Sequence, residues 1–180
     1  MILDKNNEKL LEKYNDFVKT SPYGHFQQDL RWAELKSAWD SVYFYIEAED
    51  EIRAALSVIY IRDKNAGKSF FYGPRGPVCD PNNIDYFKRL IGEARDFAKE
   101  NDGFLLRVDP YLPYDLKIDD SFKKSGLIFR RDKMRSSQPI LNMVLDINGR
   151  SEEEILGIFS KNTRKHLRKS YKDGIETKIL

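Results

Sequence analysis

The sequence predicts an α/β (α+β) fold in which helices flank a mostly antiparallel, mixed sheet. Short alternating or continuously apolar segments, typical of strands, are interleaved with longer segments whose apolar residues recur at helical spacing. Glycine, proline, asparagine and aspartate separate these segments, as expected of turns and helix ends. With 41% hydrophobic residues among 180, the chain has enough apolar side chains for a sizeable core.

Each element follows from a local pattern. Helical periodicity predicts helices over residues 6–19, 29–39, 84–98, near 120–125, 152–159 and 163–173. Strand patterns predict strands over residues 42–48, 52–61, 68–72, 104–109, near 127–130, 141–147 and 175–180. Residues 111–120 are expected to form a loop. The expected helix caps are polar residues: Asn82 or Asn83, Ser151 with Glu154 in a capping box, and Asn162.

The composition argues against several classes of protein. Cys79 is the single cysteine and His25 and His166 are the two histidines, so we expect no intrachain disulfide and no metal site. No apolar run approaches the ~20 residues of a membrane span, and the amphipathic N-terminus is unlike a signal peptide, which favours a cytoplasmic protein. Sequence signatures of P-loops, serine hydrolases and zinc proteases are absent.

Basic residues are concentrated near the C-terminus. The stretch from Lys161 to Lys172 carries six Lys/Arg and no acid, which leaves 25 basic against 29 acidic residues elsewhere. Such a run is usually a solvated helix face. The functional alternative is contact with a polyanion, which a tRNA backbone, a pyrophosphate or anionic lipid headgroups would each provide. The candidate contacts are the cations of the first turns: Lys161, Arg164, Lys165 and Arg168.

Lys36 stands on an aromatic face of the predicted helix 29–39. At ~100° per residue, Trp32, Lys36 and Trp39 fall on one arc, together with Leu35. One interpretation is that the lysine extends its ammonium past the tryptophans into water. The other is an anion site, in which Lys36 contacts a phosphate and a nearby aromatic such as Trp39 offers a stacking surface.

Arg75 and Asp109 each follow a predicted strand. The loop 73–77 (Gly-Pro-Arg-Gly-Pro) is either a plain rigid turn or a device that holds the guanidinium of Arg75 at a strand end, where clefts form. Asp109 precedes a proline, which confines its backbone to extended conformations. It is a candidate general base or substrate anchor, and it could equally pair with Arg107 or another arginine.

Four segments, in order along the chain, resemble a known family. They are residues 26–28 (Phe-Gln-Gln) with 32–36 (Trp-Ala-Glu-Leu-Lys), 72–78 (Tyr-Gly-Pro-Arg-Gly-Pro-Val), 106–110 (Leu-Arg-Val-Asp-Pro) and 161–165 (Lys-Asn-Thr-Arg-Lys). Together they resemble the Fem/Mur (FemAB-like) aminoacyltransferases of peptidoglycan cross-bridge synthesis, over nearly the whole chain.

The resemblance implies two tandem domains, each with the fold of the Gcn5-related N-acetyltransferases (GNAT). Residues 1–149 would form the first, and 150–180 the beginning of a truncated second. The implied activity is transfer of an amino acid from aminoacyl-tRNA, as co-substrate and without another cofactor, to the stem peptide of a lipid-linked or UDP-linked muramyl pentapeptide. Peripheral contact with the inner face of the plasma membrane is also expected, and the chain alone is expected to be inactive.

The resemblance also implies roles for particular residues. Lys36 matches a lysine that binds the phosphates of the muramyl-peptide precursor. Asp109 matches an acidic position whose role, as base or anchor, is open. A contribution of Arg75 is our own hypothesis and does not come from the family.

Two other functions remain open at this point. The first is an acyl-CoA N-acyltransferase, since the implied fold is shared. Such enzymes usually hold the CoA pyrophosphate with an Arg/Gln-x-x-Gly-x-Gly/Ala turn, and the sequence contains none. The second is a non-catalytic module that binds muramyl peptide or tRNA.

Overall fold

The structure, a computed structural model, describes residues 1–112, 115–124, 138–139 and 144–178. The chain separates into two compact units, Met1–Met134 and Arg135–Leu180. The strands of the first unit are β1 (Asp40–Ala48), β2 (Glu51–Asp63), β3 (Lys68–Gly73) and β4 (Gly103–Val108). Its helices are α1 (Glu8–Thr20), a 3₁₀ helix (Phe26–Gln28), α2 (Leu30–Leu35), α3 (Ile84–Glu100) and α4 (Leu116–Lys124). The helices of the second unit are α5 (Glu152–Ile158) and α6 (Lys161–Lys172).

The sheet has the order β1-β2-β3-β4. Its first two pairs are antiparallel, and β3 and β4 are parallel. Helix α3 makes the crossover between β3 and β4 that a parallel pair requires. Tyr72 pairs with Arg107, and Gly73 with Val108, so the two strands end at the same edge of the sheet. The predicted mixed, mostly antiparallel sheet flanked by helices is confirmed.

Helices cover both faces of the sheet, which explains the long apolar runs of β1 and β2. On one face α3 packs its apolar side against the strands through Phe87, Leu90, Ala94 and Ala98. The opposite face is covered by α1 and α2, through Tyr14, Val18, Leu30 and Ala33. The connection between α1 and α2 contains the 3₁₀ helix, where Gln28 hydrogen-bonds to Ser57 of β2. That connection is therefore fixed to the sheet.

Helix α2 is shorter than predicted. It ends at Leu35, and Lys36 is its C-terminal cap with φ −91° and ψ 48°. The chain must turn here to enter β1, and the ring of Trp39 packs edge-on against Phe70, 6.1 Å between centroids. The prediction that Trp39 shares a helical arc with Trp32 is therefore wrong.

Helix α4 begins earlier than predicted. Residues 116–120 are helical, although a loop was expected there. Asp115 accepts a 2.7 Å hydrogen bond from the backbone N–H of Lys117, which satisfies a donor of the first turn. The strand predicted near residues 127–130 lies outside the described residues.

The second unit confirms one predicted cap and corrects another. Ser151 and Glu154 form the predicted capping box of α5. The cap of α6 is Ser160 rather than Asn162, because the Ser160 hydroxyl accepts from the backbone N–H of Thr163 at 3.2 Å. Within the described part of the predicted strands 141–147 and 175–180, residues 144–147 and 175–178 form no strand. Residues 141–143 and 179–180 lie outside it.

Candidate active site

The carboxyl ends of β3 and β4 bring two sequence-predicted site residues together. Arg75 lies in the loop 73–77 that follows β3, and Asp109 directly follows β4. Because these strands are parallel neighbours, the two segments meet at one edge of the sheet. Ligand sites of α/β proteins commonly form outside the carboxyl ends of strands. This edge is therefore the candidate site.

Asp109 is held by the protein through both of its oxygens. Oδ2 accepts a hydrogen bond from the Tyr72 hydroxyl at 2.8 Å, and Oδ1 accepts from the backbone N–H of Arg75 at 2.7 Å. The backbone of Arg75 has φ 56°, a left-handed conformation that is unfavourable for a residue with a Cβ. Asp109 thus ties the loop after β3 to the end of β4, which is the geometry of an anchor.

Gln28 holds the same loop from the other side. Its Nε2 donates to the carbonyl oxygens of Ser57 at 3.1 Å and Pro74 at 2.6 Å, and its Oε1 accepts from the Ser57 N–H at 2.8 Å. The side chain is fully buried. A Cβ added at Gly76 would lie 2.6 Å from the Gln28 amide group, so the second glycine of the loop is required by this contact. Sequence reasoning noted the Phe-Gln-Gln segment but missed this role.

Arg75 is only 8% exposed. Its guanidinium carbon lies 5.8 Å from the centroid of the Tyr111 ring, within the range of a cation–π contact. The sequence left two interpretations open, a plain rigid turn or a guanidinium held at a strand end. The structure buries most of this side chain beside an aromatic residue that was not singled out from the sequence.

An aromatic strip runs from Arg75 to Lys36. It consists of Tyr111, His25, Phe26 and Trp32, with successive ring centroids 5.2, 4.5 and 5.5 Å apart. Phe26 is 66% exposed, so part of the strip faces solvent. The strip therefore joins two cationic residues, and it offers aromatic surface between them.

Lys36 sits at the far end of the aromatic strip. Its Nζ lies 4.8 Å from the centroid of the Trp32 ring, as the i, i+4 spacing predicted. Among the described residues, no carboxylate lies within ion-pairing distance of this ammonium. The ring of Trp39 packs against Phe70, and its backbone N–H donates to the carbonyl oxygen of Lys36 at 2.7 Å. The contact between Lys36 and Trp32 thus forms the second end of the aromatic strip.

His25 occupies the middle of the aromatic strip. Its Nδ1 accepts a 3.2 Å hydrogen bond from the backbone N–H of Gln27 and so caps the 3₁₀ helix. Burial lowers the pKa of His25, the nearby Arg75 cation lowers it further, and Asp109 partly opposes both. Sequence analysis considered His25 only as a possible metal ligand and rejected that role. The signal that it had a role was its position directly before the Phe-Gln-Gln segment.

Cys79 is unsuited to covalent catalysis. The residue is 3% exposed, and burial, together with Asp80, raises the pKa of its thiol to about 12. The nucleophilic thiolate is therefore scarce at neutral pH. Within the described ranges, no group of His, Cys, Asp and Glu side chains has the arrangement of a metal site. Nor does any helix there have the length and apolarity to span a membrane.

The second unit presents the basic helix α6. Along it, Lys161, Lys165 and Lys169 form one row, and Arg164, Arg168 and Lys172 form another. Lys161, Lys165 and Arg168 are exposed, whereas Arg164 is half-buried and donates to the carbonyl oxygen of Gly157 at 3.2 Å. The three exposed cations fit both interpretations of the basic run, a solvated helix face and contact with a polyanion. Their charge has no acidic neighbour within the helix.

Solved structures with a similar fold include those described as FemX and as a probable acetyltransferase. A crystal structure described as that of FemX superimposes with a TM-score of 0.62 at 21% identity, covering 70% of this chain and 31% of that one. A probable acetyltransferase superimposes with a TM-score of 0.50 at 13% identity, covering 79% and 98%. At such identities the likeness establishes the fold, which is that of the GNAT-like acyltransferases.

The family is established by sequence. The model of the FemAB family matches residues 11–180, and the chain therefore belongs to the FemAB family. A relative from Weissella viridescens, named UDP-N-acetylmuramoylpentapeptide-lysine N(6)-alanyltransferase, is 32% identical over 97% of this chain and 54% of its own length. A relative from Staphylococcus aureus (strain MRSA252), named Lipid II:glycine glycyltransferase, is 23% identical over 91% and 40%. The chain thus spans about half the length of the relatives it matches.

Proposed function

We propose that the complete protein transfers an amino acid from aminoacyl-tRNA to the stem peptide of a muramyl-peptide precursor during peptidoglycan cross-bridge synthesis. The observation that carries the proposal is the FemAB-family match over residues 11–180. It is supported by relatives named for alanyl transfer to a UDP-linked muramyl pentapeptide and for glycyl transfer to lipid II. Whether this protein uses a nucleotide-linked or a lipid-linked acceptor is an outcome of the test below.

The transfer reaction requires the enzyme to position its two substrates more than to activate them. The ester of an aminoacyl-tRNA is already reactive, so the enzyme must hold the acceptor amine against the ester carbonyl and stabilise the developing oxyanion. No covalent intermediate on the protein is needed. The buried, protonated thiol of Cys79 is consistent with direct transfer.

The candidate site provides the groups that hold the acceptor. In the proposal, Lys36 contacts the phosphates of the precursor, since its ammonium stands at the end of the aromatic strip without a carboxylate partner among the described residues. Arg75 adds positive charge at the other end of the strip. Trp39 borders the acceptor from its position on Phe70. Asp109 acts as an anchor of the Arg75 loop rather than as a base.

We further propose that residues 1–149 belong to the first of two GNAT-like domains and that residue 150 begins the second. In this arrangement α6 contacts a polyanion through Lys161, Lys165 and Arg168, with Arg164 also fixing the helix to Gly157. The polyanion is the aminoacyl-tRNA backbone. No cofactor beyond this co-substrate is required.

The proposed setting is the cytoplasm, with peripheral contact at the inner face of the plasma membrane. Both substrates in the proposal, aminoacyl-tRNA and a muramyl-peptide precursor, carry phosphates. A protein that binds them needs exposed cations, which α6 supplies in the second unit.

Acyl-CoA transfer is the alternative enzyme function. The structural likeness to a probable acetyltransferase favours it at the level of fold alone. The sequence lacks the glycine-rich pyrophosphate turn of such enzymes. A second alternative is that the 180-residue chain by itself only binds muramyl peptide or tRNA.

The test is a transfer assay with the complete gene product. Transfer RNA charged with radiolabelled alanine, glycine or serine is mixed with UDP-linked muramyl pentapeptide or with lipid II, and label in the acceptor is measured. Label in either acceptor supports the proposal and identifies the acceptor class. Absence of label, together with acetylation of an amine from acetyl-CoA, would overturn it.

A further inference from the structure

His25 has one nitrogen fixed by the fold. The backbone N–H of Gln27 can only donate, so Nδ1 of His25 must be the acceptor in their 3.2 Å hydrogen bond. In the neutral imidazole the proton then lies on Nε2. Protonation of Nδ1 would break this bond and is therefore unfavourable. Burial and the Arg75 cation act in the same direction, since both lower the pKa of His25. The side chain is thus a neutral Nε2–H donor.

The orientation of the ring is fixed as well. The Phe26 ring lies 4.5 Å from it and the Tyr111 ring 5.2 Å, centroid to centroid. Phe26 is largely exposed and His25 is half-buried, so solvent reaches part of this segment of the strip. Within the described part of the chain, Nε2 of His25 has no hydrogen-bond partner.

The surroundings select the kind of group that this donor meets. Arg75 is the cation that acts on the imidazole electrostatically. Asp109 opposes this effect by raising the pKa of His25. Its carboxylate already accepts hydrogen bonds from the Tyr72 hydroxyl and from the backbone N–H of Arg75. An N–H donor beside a cation is satisfied best by an anionic oxygen from outside the protein.

We propose that His25 contacts the acceptor substrate directly, donating its Nε2–H to an anionic oxygen, either a phosphate or a carboxylate, of the muramyl-peptide precursor. This inference rests on the proposed function, because it takes the precursor as the ligand of the site. Within that function, it assigns a contact residue that was not expected from the sequence, at the start of the 3₁₀ helix rather than at a strand end.

Two substitutions separate the donor of His25 from its structural role. His25→Asn places an amide oxygen near the position of Nδ1, so it can keep the cap on Gln27 while losing the distal donor. His25→Gln places an amide N–H near the position of Nε2, so it retains a distal donor. Thermal unfolding of both variants measures any destabilisation that comes from the cap.

The experiment is calorimetric titration of the complete gene product with UDP-linked muramyl pentapeptide. We expect His25→Asn to weaken binding about 10-fold or more at an unchanged unfolding temperature. His25→Gln should stay within about 3-fold of the unsubstituted protein. Parallel titrations with UDP and with nucleotide-free muramyl pentapeptide identify the oxygen: weaker binding of UDP indicates a phosphate, and weaker binding of the peptide a carboxylate.

Other results would overturn the inference. Equal binding by His25→Asn and the unsubstituted protein would show that the donor meets no substrate oxygen. Equal weakening in both variants would assign the effect to removal of the ring rather than of the donor. If the unsubstituted protein binds neither UDP-linked precursor nor lipid II, the proposed function fails, and this inference with it.

Discussion

The backbone N–H of Arg75 donates a 2.7 Å hydrogen bond to Oδ1 of Asp109, which ties the loop after β3 to the end of β4. The other carboxylate oxygen accepts from the Tyr72 hydroxyl. Arg75 has φ 56°, and a left-handed conformation costs a non-glycine residue about 1–2 kcal/mol. The carboxylate therefore holds Arg75 in a conformation that its own backbone disfavours.

Replacement of Asp109 separates the roles of anchor and base. In Asp109→Asn the amide oxygen still accepts from Arg75, and its NH₂ can donate to the Tyr72 hydroxyl oxygen. We expect the rate of aminoacyl transfer to fall by less than about 10-fold. Asp109→Ala leaves both donors without their acceptor, and we expect it to lower the free energy of unfolding by about 1–3 kcal/mol. Single-turnover transfer and denaturant unfolding measure the two effects.

A much larger decrease in the transfer rate of Asp109→Asn would indicate that Asp109 is a general base. General base catalysis contributes about 10²–10⁴-fold to a rate. A rate decrease of that size, with the stability of the unsubstituted protein retained, would contradict the proposal that Asp109 acts only as an anchor of the Arg75 loop.

Gly76→Ala tests the contact between the Gly-Pro-Arg-Gly-Pro loop and Gln28. The new Cβ would lie 2.6 Å from the amide group of Gln28, which three hydrogen bonds hold in place. Because the buried amide cannot move without breaking those bonds, we expect the free energy of unfolding to fall by about 1–3 kcal/mol. Urea unfolding monitored by tryptophan fluorescence measures this change.

Gly92→Ala is the matched control. Gly92 lies within α3, and a Cβ added there would meet nothing within 4 Å. Alanine is favoured over glycine inside a helix by about 0.5–1 kcal/mol, so this variant should be as stable as the unsubstituted protein or more stable. If both substitutions had the same effect on stability, the Gln28 side chain would not be the reason for a glycine at position 76.

Basic side chains of α6 are predicted to contact tRNA phosphates. Replacing Lys161, Lys165 and Arg168 with alanine should weaken tRNA binding and make it less dependent on salt, by about one unit of logarithmic slope for each cation that neutralised a phosphate. Filter binding between about 50 and 200 mM salt measures both quantities. Replacement of the exposed Lys88 and Lys99 of α3 is the control. An unchanged slope would leave α6 as a solvated face.

Cys79 should react slowly with alkylating reagents. Its thiol is buried, and its pKa is raised to about 12, so the thiolate is scarce below that pH. At pH 8 we expect iodoacetamide to label the native protein at least about 10-fold more slowly than the urea-unfolded protein, whose cysteine has an ordinary pKa near ~8.5. Mass spectrometry over time gives both rates. Equal rates would show that the thiol is accessible and would reopen a nucleophilic role.

Local sequence patterns were sufficient for most of the first unit. Alternating and continuous apolar runs predicted the four strands that the structure describes, because the apolar side chains of a covered sheet form patterns only a few residues long. The amphipathic spacing of α3 was visible for the same reason. The end of α2 was not visible in the sequence. It depends on the packing of Trp39 against Phe70, which lies on β3.

The candidate site was predictable only in part. Lys36, Arg75 and Asp109 stood out because a charged residue on an aromatic face or at a strand end is unusual locally. Gln28 and His25 did not, since their roles depend on partners that are distant in the sequence. Gln28 bonds to Pro74, 46 positions away, and His25 faces Tyr111. Such roles need the tertiary structure.

The most direct test of the proposed phosphate site is calorimetric titration with UDP-linked muramyl pentapeptide, comparing the unsubstituted protein, Lys36→Ala and the exposed control Lys88→Ala. Because Lys36 is proposed to contact the precursor's phosphates, we expect its replacement to weaken binding by about 10-fold or more, on the order of 1.4 kcal/mol. Lys88→Ala should bind as the unsubstituted protein does. Equal affinity in all three would contradict a phosphate site at Lys36.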